Sequence, residues 1–86
     1  MTAGRRERKT VGLALEILKS TARSAQPRSD AVRLALYVVL PYVGKHYVTT
    51  YWSCTSHELS PHRQFNLSAQ VRLMEAVCSN RLGGLG

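Results

Sequence analysis

Apolar residues return at helical spacing in three stretches of this chain. In the first, Val11, Leu15, Leu18 and Ala22 form a stripe, which predicts a helix over roughly 6–24. Leu13 and Ile17 lie beside that stripe and widen it past half the circumference, while Glu16, Lys19 and Arg23 share the opposite face. A helix with so wide an apolar arc is wedged between two neighbours or lies on a membrane surface. Gly12 weakens it by roughly 1 kcal/mol relative to alanine. In the last stretch, Leu67, Val71, Met74 and Cys78 form the stripe, widened by Leu73 and Val77; Ser68, Arg72, Glu75 and Ser79 make the wet face. With Asn66 as a cap and Gly83-Gly84 as a terminator, this predicts a helix over 67–82.

The middle stretch differs. After a connection containing Pro27, Ser29 or Asp30 can cap a helix that enters the apolar segment Ala31–Trp52. From Leu34 through Gly44 this segment carries no charge, and between Leu34 and Leu40 it is apolar all round. A helix of that kind is central in a bundle or sits in a bilayer. Pro41 removes the backbone donor that would pair with the Tyr37 carbonyl, so a helix over 30–52 is expected to kink there, with Gly44 as a second weak point. Residues 53–66 read as a polar loop. The expected architecture is all-α: one domain over 1–86 with a basic N-terminal segment at 1–9, built as a small bundle or as extended helices packed in a larger assembly.

A chain of 86 residues buries only about 60–65% of its unfolded surface, so its own core is marginal and a partner, metal or membrane often supplements it. The net charge is +7, and it is uneven: residues 1–33 hold eight basic and three acidic groups, residues 34–86 four and two. The excess favours an acidic partner, whether nucleic acid, anionic lipid or protein. Arg5, Arg6, Arg8 and Lys9 form the cluster that would contact it, extended by Arg23, Arg28 and Arg33. Two cysteines, Cys54 and Cys78, are too few for a disulfide framework; one bridge between them and a reduced intracellular pair are both open. The first thirty residues lack the early apolar block of a secretory signal.

Chemistry is sparse. Cys54, His57 and His62 stand as C-x2-H-x4-H, with ligand types that zinc prefers, but four ligands are needed. Cys78 would lie in an apolar stripe, and His46 is the other side chain that could approach. Cys54, His57 and Glu58 together make a poor catalytic set, because close neighbours in one loop rarely hold the required geometry. No paired carboxylates, phosphate loop or metalloprotease motif appears. The expectation is a non-enzyme without cofactor, metal or small-molecule substrate.

All four tyrosines (Tyr37, Tyr42, Tyr47, Tyr51) and the single tryptophan, Trp52, fall within sixteen residues. They could stack on bases. However, on a straight helix Tyr42 lies roughly opposite the other three, and the run interleaves with Val38, Val39, Leu40 and Val43, as packing residues do. Leu34 to Trp52 is nineteen residues, close to the about 20 that a membrane span needs. Lys45 and His46 interrupt it, and a lysine near a span's centre costs roughly 3 kcal/mol. The residues expected to act as an anchor or interface are Leu34, Leu36, Tyr37, Val38, Val39, Leu40, Tyr42, Val43, Tyr47, Tyr51 and Trp52.

The stretch PRSDAVRLALYVVLPYVGKHY, residues 27–47, resembles part of the N-terminal membrane region of the peroxisomal RING peroxins. A basic start, an apolar run and a Leu-Pro-Tyr-hydrophobic signature are matched by Leu40, Pro41, Tyr42 and Val43. NLSAQVRLMEAV could follow as that region's next helix. The resemblance implies a piece of a peroxisomal membrane import-ligase subunit. No RING is present in this sequence, so ligase chemistry does not carry over.

The function expected from all this is a small, basic, helical subunit of a larger assembly, anchored by residues 31–52. Its partners would be other protein subunits and an anionic lipid or membrane surface. The expected setting is intracellular, at an organelle membrane, the mitochondrial one first. The alternatives are a small RNA- or DNA-binding helical protein, such as a ribosomal accessory subunit or a viral double-stranded RNA binder, and the peroxisomal piece.

Overall fold

A computed structural model describes residues 4–23, 29–55 and 63–85, the backbone alone for 63–65. Among the described residues the chain is all-helical: α1 (Arg5–Ala22), α2 (Asp30–Val43), α3 (Lys45–Thr55) and α4 (Arg63–Leu82). The all-α expectation holds, with four helices in place of three because the middle one is split.

α1 follows its pattern closely. Val11, Ala14, Leu15, Leu18 and Ala22 are buried, and the helix packs on α2 and α4. Two neighbours suit its wide apolar arc, but the arc is not covered completely. Leu13 remains 59% exposed and Ile17 38%. Arg5 to Lys9, expected as the end of a basic segment, are the first turns of this helix.

α2 starts where expected. The Ser29 hydroxyl accepts from the Val32 N–H at 3.3 Å, so Ser29, not Asp30, is the cap. The helix then runs on through Pro41 to Val43. Pro41 is exposed on the outer face, and the next turn closes normally, with Gly44 N–H donating to the Leu40 carbonyl at 2.8 Å. The chain breaks at Gly44, whose φ of 88° and ψ of 166° lie where essentially only glycine is at ease.

Nor is α2 buried all round. Val32, Ala35, Leu36, Val39 and Val43 face the core, while Leu34 is 69% and Tyr37 76% exposed on the opposite side. The helix is amphipathic in burial although not in composition.

α3 packs on α4 and α2. It buries Tyr51 and Thr55, so Ser53, Cys54 and Thr55 are helical and the expected loop over 53–66 is shorter at its start. It is shorter at its end too, because α4 begins at Arg63 and places Asn66 inside the helix. The predicted α4 stripe is buried throughout: Leu67, Val71, Met74 and Cys78, joined by Leu82. Leu73, expected to widen it, is 54% exposed. Gly83 and Gly84 adopt positive φ, and the Gly84 N–H closes onto the Ser79 carbonyl at 2.8 Å, the glycine-terminated ending the sequence called for.

Candidate docking surface and basic end

Three polar links fix how the helices sit against one another. The Tyr42 hydroxyl on α2 donates to the Glu7 carboxylate on α1. The Lys19 ammonium on α1 bridges Glu75 on α4 and Glu16 on its own helix, the latter at 3.4 Å. The Gln70 side-chain amide on α4 donates to the Tyr47 carbonyl on α3 at 3.3 Å. The wet faces of α1 and α4 thus meet at Lys19, whose proton is held more tightly than usual, first by the hydrogen bond to Glu75. Beside it, Arg23, Ser68, Arg72 and Val71 line a shallow cleft.

The expected anchor residues divide into three groups. Leu36, Val39, Val43 and Tyr51 are buried in the chain's own core. Val38, Leu40, Tyr42, Tyr47 and Trp52 are half-buried. Leu34 and Tyr37 point outward with Pro41, at positions i, i+3 and i+7 of one helix face. Only this last group is available in full to anything outside the chain. The break at Gly44 also ends the idea of one continuous span: no helix among the described residues is long and apolar enough to cross a membrane.

The cations divide as well. The Glu7–Tyr42 bond sets the α1 N-terminus against the α2 C-terminus. Arg5, Arg6 and Lys9 are exposed there, with Arg8 half-buried and its Nε lacking a hydrogen-bond partner among the described residues. Lys45 and His46, exposed at the start of α3, follow Tyr42 by three and four residues and so belong to the same end. Arg23 and Arg33, exposed at the α1 C-terminus and the α2 N-terminus, belong to the opposite end of this antiparallel pair. Arg28 lies outside the described residues. The sequence pattern had extended the N-terminal cluster toward Arg23 and Arg33; the fold places those two at the other end of the pair, and Lys45 follows the end that meets the cluster. A signal for that was present in an acid, Glu7, among the cations and a tyrosine, Tyr42, just before the lysine.

Tyr42 is poorly acidic, pushed up to about 12, chiefly because ionising it would break the bond to Glu7. Tyr51 is fully buried, and burial raises it too. Its hydroxyl has no hydrogen-bond partner of good geometry among the described residues. The Thr21 side chain lies near enough to act on it, but Thr21 gives its own hydrogen to the Ile17 carbonyl at 2.8 Å. Tyr51 and Trp52 meet edge to face, with ring centroids 5.9 Å apart.

Cys54 and Cys78 are free thiols, Cys54 half-buried and Cys78 buried. Burial pushes the Cys78 thiol up to about 11, the environment of a packing residue rather than of a nucleophile. His57 and His62 lie outside the described residues, and among the described ones no three His, Cys, Asp or Glu side chains gather to hold a metal ion.

No family model matches the chain, and no curated protein or solved structure shows significant similarity to it.

Proposed function

We propose that this chain is a non-enzymatic helical subunit that docks into a larger, membrane-apposed protein assembly through the outer face of α2. The observation that carries this reading is the pairing of opposite sides on one helix. The inner side is buried in the chain's own core, while Leu34 and Tyr37 stand 69% and 76% exposed. Single exposed apolar residues are ordinary. Here two large ones and Pro41 line one rigid helix face. A rigid face bearing a tyrosine between aliphatic neighbours suits a protein partner, since aromatic side chains dominate buried interface energetics at low entropic cost. The resemblance of residues 27–47 to the membrane region of peroxisomal RING peroxins supports a membrane complex of an organelle as the setting.

The test is the native size of the chain in detergent-solubilised membranes. The unaltered chain is expected to migrate with a complex far larger than itself. A Leu34→Asp/Tyr37→Asp variant is expected to migrate alone while keeping its helical circular dichroism. An unaltered chain that migrates alone, or a variant that stays in the complex, contradicts the reading.

A further inference from the structure

Positive charge is concentrated in the first turns of α1, and Lys45 follows the α2 C-terminus that Glu7 and Tyr42 set against them. Arg5, Arg6, Lys9 and Lys45 are exposed there, and Arg8 is half-exposed. Glu7 is the one acid near them among the described residues, and its carboxylate is engaged by Tyr42. The charge does not stand on a purely polar surface. Arg6, Lys9, Leu13 and Ile17 follow one another at spacings of three, four and four residues along one exposed face of α1. Cations at the helix start give way within two turns to aliphatic side chains 59% and 38% exposed. Glu16 interrupts that apolar part; Lys19 lies 3.4 Å from its carboxylate but pairs with Glu75 of α4 as well.

We propose that this basic end and the adjoining α1 face bind the surface of an anionic lipid bilayer. Phosphate and carboxylate headgroups would meet Arg5, Arg6, Lys9 and Lys45, while Leu13 and Ile17 enter the headgroup–acyl boundary. That combination of clustered cations beside exposed aliphatics is what interfacial binding uses. A nucleic acid would meet the same cations but has no use for Leu13 and Ile17. Nor does the end present a stacking platform: Tyr42 is committed to Glu7, and Tyr47 is half-buried with its ring against His46. The inference rests on the membrane-apposed setting proposed above and names the lipid chemistry of that setting. It uses α1 and the start of α3, leaving the α2 face to the protein partner.

The experiment is flotation of the full-length chain with phosphatidylcholine vesicles prepared with and without phosphatidylserine, across a salt series. Binding is expected only where phosphatidylserine is present, and it should weaken as salt rises. Each cation near an anionic surface is worth roughly fivefold in affinity, so Arg5→Gln/Arg6→Gln/Lys45→Gln should lose about a hundredfold. Leu13→Ser/Ile17→Ser should also weaken binding while leaving its salt dependence unchanged; circular dichroism checks that both variants stay folded. Equal binding to neutral vesicles overturns the proposal, as does binding insensitive to the triple substitution. Tight salt-sensitive binding to a duplex oligonucleotide with none to vesicles overturns it in favour of nucleic acid. Failure here with the large native complex intact removes the lipid contact alone; loss of the complex removes the setting.

Discussion

The Tyr42 hydroxyl on α2 donates to the Glu7 carboxylate on α1, and this bond fixes which ends of the two helices meet. It also makes stability depend on alkaline pH. Tyr42 keeps its proton to about 12 in the folded chain, against 10.0 for an ordinary tyrosine. Its contribution is therefore complete below pH 10 and is lost as pH rises through about 12. Tyr42→Phe should cost about 0.5–1 kcal/mol at neutral pH, less than is usual for a bond to a charged group because the pair is solvent-accessible. Cys78 and Tyr51 also ionise late, so the informative quantity is the difference between the two urea-unfolding curves. That difference should shrink between pH 10 and about 12.

Two glycine-to-alanine changes should act with opposite sign. Gly12 lies in the middle of α1 with open space where a Cβ would stand, so Gly12→Ala should stabilise by about 0.5–1 kcal/mol. Gly44 also has open space around it, but its φ of 88° is closed to a side chain at little cost. Gly44→Ala should therefore destabilise by about 1–3 kcal/mol. Thermal unfolding of the two variants checks both signs.

Neighbouring leucines on α2 should behave quite differently. Leu36 is 3% exposed and Leu34 69%. Leu36→Ala leaves a cavity and should cost about 2–5 kcal/mol. Leu34→Ala should change the stability of the isolated chain by no more than about 0.5 kcal/mol. Equal costs in chemical denaturation would mean that α2 is seated in the fold differently.

Tyr51 is the position where removing a polar group should do little harm. Its buried hydroxyl lacks a well-formed partner among the described residues, so Tyr51→Phe removes a desolvation cost and little else. The variant should be as stable as the parent or more stable, by up to about 1 kcal/mol. A clear loss of stability would show that the Thr21 contact is a working hydrogen bond.

The helical periodicities of α1 and α4 were legible because buried stripes were written in the residues themselves: Val11, Leu15, Leu18 and Ala22, then Leu67, Val71, Met74 and Cys78. The faces of α2 were not legible, since Leu34 and Leu36 are chemically the same and only neighbouring helices decide which is covered. The break was misplaced for a related reason. Proline is the stronger helix breaker in general, yet Pro41 lies on an open face where a missing donor is tolerated, and the turn fell to Gly44. Among the candidate site residues, the grouping of Arg5, Arg6 and Lys9 was local and readable. Which helix end lies against them depends on a contact between residues thirty-five apart, Glu7 and Tyr42, which periodicity does not report.

On the proposed function, another protein covers the outer face of α2. A photo-crosslinking amino acid at Tyr37, compared in cells with the same group at the exposed Leu73 of α4, tests it most directly. A discrete protein adduct is expected from position 37, abolished by Leu34→Asp and absent from position 73. Adducts to lipid alone, or the same protein adducts from both positions, would contradict it.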